Sequence, residues 1–226
     1  MNAIDLSQVG SRVAQVRERI KIAGGSQVKL IAVTKTFDAA AMIAAFDAGC
    51  DGIGENYAQE LIAKIRKLPT TKRLPVNFIG RLQTNKIKSL ADIVDVWQSI
   101  DRAELIKEIA KRCIKHNSGI KPQVMLQVNA TGESDKGGCQ PAEVEQLLSL
   151  AISNGLEVLG LMTVGPTDND PHRSRVAFQL VRRLVDDLGL SHCSMGMTGD
   201  LEIAVAEGST MIRVGSALFG PRSKKL

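Results

Sequence analysis

Eight short β-type runs, most of them separated by a stretch of helical periodicity, leave this sequence few folds to choose from. The runs fall at 29–34, 52–55, 76–80, 94–100, 123–129, 156–164, 192–197 and 211–215, the first, fifth and eighth having the strongest β character and the second and seventh the weakest. Between them, apolar residues recur at spacings of three and four. Examples are Met42, Ile43 and Phe46; Leu61, Ile62, Ile65 and Leu68; and Leu105, Ile106, Ile109 and Cys113. Val144, Leu147, Leu148 and Ala151 continue the pattern, as do Val176, Leu180, Val181, Leu184 and Leu188. Such spacing marks the apolar stripe of a helix. Strands alternating with helices pair in parallel through right-handed crossovers. Eight repeats in 226 residues suit a (β/α)₈ TIM-type barrel at the small end of that fold's range.

An extra helix is expected ahead of the first strand. Leu6, Val9, Val13, Val16 and Ile20 lie on one helical face, and Gly24-Gly25 ends it. The competing architecture is a doubly wound open sheet, which typically carries a glycine-rich phosphate loop after its first strand. Here that strand runs into Thr34-Lys35-Thr36 without glycine. This favours the barrel. With no linker or low-complexity segment in view, residues 1–226 are expected to form a single domain.

The net charge of +5 raises the question of a nucleic-acid partner. Its basic residues are interleaved with acids, as in Arg17-Glu18-Arg19 and Lys107-Glu108, which is how a solvated surface reads. One Trp and one Tyr offer few platforms for stacked bases. No nucleic-acid partner is expected. Cys50, Cys113, Cys139 and Cys193 are widely spaced and form no zinc pattern, so no metal is expected. No apolar run approaches a membrane span and the N-terminus does not resemble a signal peptide, pointing to the cytoplasm.

In a barrel of this kind the working residues lie at the C-terminal strand ends. Those ends offer Lys35, Glu55-Asn56, Gly80-Arg81, Asn129, Thr163, Met197-Thr198 and Gly215-Ser216. The two-residue period places Ile31, Val33 and Lys35 on one face of the first strand, and Met211, Arg213 and Gly215 on one face of the last. Arg213 lies between Ile212 and Val214, so if they face the helices it points into the barrel. A buried guanidinium needs a partner, either an interior acid such as Glu55 or a ligand acceptor. Lys35 has two readings, a solvated loop residue or an amine whose pKa falls from about 10.4 toward neutrality in a cavity, able to form an imine with a carbonyl.

Thr198, Gly199, Gly215 and Ser216 supply hydroxyls and turn amides after strands seven and eight, where barrels commonly bind phosphate. The glycine-rich loop 129–138 reads equally as a flexible connection or as a cover with Lys136 as a second amine. His116, His172 and His192 form no triad, and hydrolase readings are weak.

Five stretches together carry a resemblance: AVTKT (32–36), GENYAQE (54–60), FIGRLQTNK (78–86), GLMTVGP (160–166) and SMGMTGDLEIAVAEGSTMIRVG (194–215). They resemble the pyridoxal-phosphate homeostasis proteins, single-domain relatives of the alanine racemase N-terminal barrel, over nearly the whole chain. The resemblance implies a fold-type III pyridoxal-phosphate barrel. It implies Lys35 as the Schiff-base lysine, Arg213 facing the pyridine nitrogen, and Thr198, Gly215 and Ser216 around the phosphate. Asn56 would lie close to the cofactor, and Lys136 matches a loop lysine implicated in passing it on. Three positions depart from the family pattern. Asn77 stands where His is common before Phe78, Thr198 replaces the usual Ser, and Phe37 stands where a second lysine sometimes occurs.

The implied function is binding of pyridoxal 5′-phosphate for homeostasis, sequestering it and delivering it to apo forms of pyridoxal-phosphate enzymes. A pyridine nitrogen facing arginine makes a poorer electron sink, and racemisation needs a second acid/base on the opposite substrate face. In alanine racemase-like enzymes that group comes from a second domain and a partner subunit. Only 11 residues follow Gly215 and the single tyrosine, Tyr57, is expected at a helix start. Little or no catalysis is therefore expected, and a monomer. The alternatives are a minimal pyridoxal-phosphate-dependent racemase or lyase, and a barrel that binds a phosphosugar or nucleotide.

Overall fold

The computed structural model describes residues 6–114 and 120–220, leaving His116 outside the described residues. Its eight strands form one closed parallel barrel in sequence order: β1 (Lys29–Val33), β2 (Gly52–Glu55), β3 (Val76–Phe78), β4 (Val96–Ile100), β5 (Gln123–Gln127), β6 (Glu157–Met162), β7 (His192–Ser194) and β8 (Met211–Val214). Closure comes from β8 pairing with β1, Ile31 opposite Arg213. All eight expected strands are present. Most are shorter than their apolar runs because the ladder ends before the apolar residues do: Val164, for instance, lies beyond β6 and contributes to the cavity described below.

The long helices are α1 (Val9–Ile22), α2 (Ala39–Asp47), α3 (Ala58–Ile65), α5 (Ala103–Cys113), α6 (Val144–Ser153) and α7 (Pro171–Asp187). Shorter ones, α4 (Thr84–Leu90), α8 (Leu201–Ala206) and α9 (Ser216–Phe219), follow β3, β7 and β8. They are too brief to show a helical period in the sequence. Helix α1 buries Val9, Val13, Val16 and Ile20, the expected face, and Gly24 ends it with φ +95°. Helix α7 departs from expectation: Val176 is 50% exposed, and the buried stripe is Ala177, Phe178, Val181 and Val185. An apolar stripe read from Val176 and Leu180 is thus rotated by about one residue from the one that packs.

Two layers of packing follow from strand alternation. Outward residues such as Leu30, Ala32, Ile53, Val76, Phe78, Ile212 and Val214 join the helices in the main core. Inside the barrel, Val96, Met125, Met162 and Met211 form a small apolar cluster. Above it, inward polar residues from four strands span the lumen and lead to the C-terminal mouth.

Candidate functional site

At that mouth lies a cavity of about 350 Å³. Lys35, Asn56, Thr198, Arg213, Gly215 and Ser216, six of the expected site residues, line it together. Val33, Ile79, Met162, Val164 and Met197 form its apolar part, and Asn169 and Asp200 add polar groups.

Lys35 enters from a tight turn that ends β1. The Phe37 amide donates to the Thr34 carbonyl at 3.2 Å, so Lys35 and Thr36 are the two central turn residues. Thr36 has φ +70°, a left-handed conformation that a β-branched residue adopts at a cost of roughly 1–3 kcal/mol. Phe37 packs its ring on Phe219 of α9, with centroids 5.3 Å apart. The residue that departs from the family pattern therefore joins the Lys35 turn to the helix that starts at Ser216.

Asn56 follows β2. The strand's inward positions are Gly52 and Gly54, so Glu55 points outward and Asn56 inward. Gly80 allows the chain after β3 to approach, since a Cβ there would sit 2.2 Å from the Asn56 carbonyl oxygen. Asn56 Oδ1 is buried without a hydrogen-bond partner. Such an atom is costly to leave unmet, and a ligand donor in the cavity would satisfy it.

Arg213 is 3% exposed and points into the lumen between outward Ile212 and Val214. The acid suggested by sequence, Glu55, is not its partner, because strand parity turns that carboxylate to α3, where it pairs with Lys64 at 2.7 Å. Arg213 instead donates Nη1 to Ser194 Oγ at 2.7 Å and Nη2 to the Thr163 carbonyl at 2.6 Å. The network continues across the barrel. Ser194 donates to Gln98 Oε1, and Gln98 Nε2 donates to Asn77 Oδ1, both at 2.7 Å. Asn77 then donates to the Ile53 carbonyl at 3.2 Å. Burial lowers the Arg213 pKa to about 10, against the opposing charge of Asp200, so the group stays cationic at neutral pH.

Thr198 and Ser216 close the other side. The loop after β7 and the start of α9 bring their hydroxyls to 3.2 Å. The first amides of α9 have no acceptor within the helix. Arg19 of α1 braces this corner by donating to the Thr198 carbonyl at 3.2 Å while paired with Glu202 at 2.6 Å. Asp200, not among the expected site residues, is buried here and accepts from the Met197 amide at 2.6 Å. Burial raises its pKa, opposed by that amide and by Arg213. Only tertiary packing distinguishes Asp200 from an ordinary residue ahead of a helix.

The remaining strand-end residues serve the frame. Thr163 Oγ1 donates to the Val128 carbonyl, and Asn129 Oδ1 accepts from the Gly132 amide to shape its own loop. Arg81 borders a neighbouring hollow. Lys136 stands outside the cavity lining, donating to the Gly165 carbonyl and pairing with Glu133 at 3.2 Å. All four cysteines are free thiols. Among the described residues, no cluster of His, Cys, Asp and Glu could hold a metal, and no helix is long and apolar enough to cross a membrane.

A cationic arginine, an amine and an anion-type hydroxyl pair converge at the mouth of this parallel barrel. The class is that of the alanine racemase N-terminal domain, whose family model matches residues 4–223. The fold is shared with alanine racemase of Clostridium difficile 630, with a TM-score of 0.72 at 15% identity over 93% of this chain and 57% of that one. Relatives of higher identity narrow the class. The pyridoxal phosphate homeostasis protein of Aquifex aeolicus (strain VF5) is 38% identical over 230 residues, covering 98% of this chain and 99% of that protein. PipY of Synechococcus elongatus PCC7942, solved with PLP bound, matches with a TM-score of 0.80 at 32% identity, covering 94% and 100% of the two chains. The chain belongs to the pyridoxal phosphate homeostasis protein family.

Proposed function

We propose that this protein binds pyridoxal 5′-phosphate as a Schiff base on Lys35 and works in pyridoxal-phosphate homeostasis, holding and handing on the cofactor with little or no catalysis. The observation that carries the reading is the sharing of one cavity by Lys35, buried Arg213 and the Thr198–Ser216 pair. The family membership and PLP-bound PipY support it. When bound, the cofactor supplies an aldehyde and an electron-withdrawing ring.

The chain's own residues divide the work. Lys35 supplies the amine for the carbonyl. Thr198, Ser216 and the amides following Gly215 offer donors to the phosphate, in the place where barrels commonly bind one. Arg213, fixed in direction by its two acceptors, would donate toward a ring nitrogen, and a cationic neighbour there would leave that nitrogen unprotonated. Asn56 offers the unpartnered Oδ1 to a ligand donor. Proton carriers lining the cavity are few: Asp200 Oδ1 is engaged by the Met197 amide, and Tyr57 lines a separate hollow on the far side of Asn56. That favours storage over turnover. The proposal extends to a single-domain cytoplasmic monomer that passes cofactor to apo-enzymes, with Lys136 acting at the rim.

The test is the visible spectrum of purified protein given pyridoxal phosphate, wild type beside Lys35→Ala. A Schiff-base band in wild type alone, with a borohydride-fixed mass increment on the Lys35 peptide, is expected. No band in either would remove the cofactor assignment. Rapid α-proton exchange of amino acids in heavy water, lost in Lys35→Ala, would instead establish the racemase or lyase reading.

A further inference from the structure

Behind the cavity wall lies a buried charge cluster whose members take no direct part in it. Lys64, on α3, is 4% exposed. Its ammonium donates to the Thr34 carbonyl at 2.8 Å and to Glu55 Oε1 at 2.7 Å, and pairs with Glu60 Oε1 at 2.5 Å. Thr34 Oγ1 donates to the same Glu55 oxygen at 2.6 Å. Glu60 Oε1 also accepts from the Thr36 amide at 2.6 Å. These hydrogen bonds to the turn after β1 thus fall on the residue just before Lys35 and the residue just after it.

The geometry of that turn gives these contacts a purpose. Thr34 to Phe37 is a β-turn with Lys35 and Thr36 at its centre and a positive φ at Thr36 alone. That is the type II pattern, which favours glycine at the second central position. For threonine the intrinsic preference is type I. The two types differ by a flip of the peptide joining the central residues, here Lys35 to Thr36. The amide of that peptide is the one Glu60 accepts. Flipping it would point the Lys35 carbonyl, not an N–H, at the carboxylate, and would re-aim the Lys35 side chain.

We propose that Glu60, anchored by buried Lys64, is a positioning residue that selects the strained type II turn at Thr34–Phe37 and so aims the Lys35 amine into the cavity. The proposal rests on the Lys35 assignment made above. Glu55 completes the device by fixing Lys64 from the other side, so the ammonium is held by two carboxylates and a carbonyl and has little freedom to shift. Thr36 explains why so much charge is buried beside one turn: a glycine there would need no such enforcement.

The experiment compares the rate of borohydride-trappable adduct formation at Lys35, with pyridoxal phosphate as probe, in wild type, Glu60→Ala, Glu60→Gln, Thr36→Gly and the double variant Glu60→Ala/Thr36→Gly. Glu60 is half-buried and spares the Glu55–Lys64 pair, so these variants fold, as thermal unfolding will check. Misplacing a reacting group by about an ångström costs as much as a hundredfold, so Glu60→Ala is expected to react about tenfold to a hundredfold more slowly than wild type. Glu60→Gln, which keeps an acceptor, should retain most of the rate. The double variant should recover to the rate of Thr36→Gly alone, because glycine holds the positive φ unaided. A Glu60→Ala rate equal to wild type, or a double variant as slow as Glu60→Ala, overturns the positioning role. A wild type that forms no adduct on Lys35 overturns the Lys35 assignment as well, which separates the two failures.

Discussion

The Ser216 hydroxyl meets the Thr198 hydroxyl at 3.2 Å, joining the loop after β7 to the first turn of the helix after β8. On the proposed function both face one anion, the cofactor phosphate. Thr198→Val and Ser216→Ala then each remove a hydrogen bond to a charged group, worth about 1.5–3 kcal/mol. Each is expected to weaken pyridoxal phosphate binding by about tenfold to a hundredfold. Binding of pyridoxal, which lacks the phosphate, should change little. Equal losses for both ligands would place these hydroxyls elsewhere.

The relay from Arg213 through Ser194 and Gln98 to Asn77 runs donor to acceptor in one direction across the lumen. Replacing Gln98 with Leu leaves the Ser194 hydroxyl without its acceptor and Asn77 Oδ1 without its donor. Destabilisation of about 1–3 kcal/mol is expected for buried groups left unmet. Urea unfolding should show a lower midpoint with an unchanged m-value. An unchanged midpoint would mean that the relay contributes nothing.

Gly80 permits a backbone approach that no side chain tolerates. Gly80→Ala must displace Asn56, because the new Cβ would lie 2.2 Å from its carbonyl oxygen and 2.5 Å from its Cα. A loss of about 1–3 kcal/mol or more is expected, together with weaker ligand binding. Gly10→Ala in α1 meets nothing within 4 Å and should be neutral or stabilise by up to about 1 kcal/mol. Calorimetry on the pair would expose an error in either placement.

Glu133 straps the loop after β5 to the loop after β6. The Thr167 hydroxyl and amide, with Lys136, lower its pKa from 4.5 to about 2. A carboxyl more acidic in the folded than in the unfolded chain stabilises folding above the unfolded pKa, and that gain is lost as pH falls toward the folded value. The difference in melting temperature between wild type and Glu133→Gln should therefore be full above about pH 4.5 and shrink to nothing near pH 2. A difference that stays constant across that window would show that the strap does not depend on the charge.

Much of this was legible in the sequence because strand ends and barrel layout are tied together. Lys35, Asn56, Thr198, Arg213, Gly215 and Ser216 stand at or beside strand ends, and closing the barrel brings strand ends together. Glu55, one of the two kinds of partner the sequence offers Arg213, faces outward instead, because the inward positions of β2 are Gly52 and Gly54. Lys64 was not legible. In the helix pattern it reads as a solvated lysine, and only the placement of α3 behind β1 and β2 buries it between Glu55 and Glu60. Asp200 escaped for the same reason. The sequence leaves the Lys136 loop open between a flexible connection and a cover, since its position is set by Glu133 and the Gly165 carbonyl, contacts between loops that no local pattern announces.

The pairing of β1 with β8 has a consequence for how the molecule comes apart. Lys35 lies just past one edge of that seam and Ser216 just past the other, near opposite ends of the chain, and the stack of Phe37 on Phe219 crosses it as well. A molecule held at once by Lys35 and Ser216 is a rivet through the joint that closes the barrel. It is absent from any unfolded or half-zipped chain, so bound ligand shifts the folding equilibrium by RT ln(1 + L/Kd), a gain that grows with the free ligand concentration L. Cargo and closure are then linked quantities: release of the one should loosen the other, and an opened seam should let the cargo go.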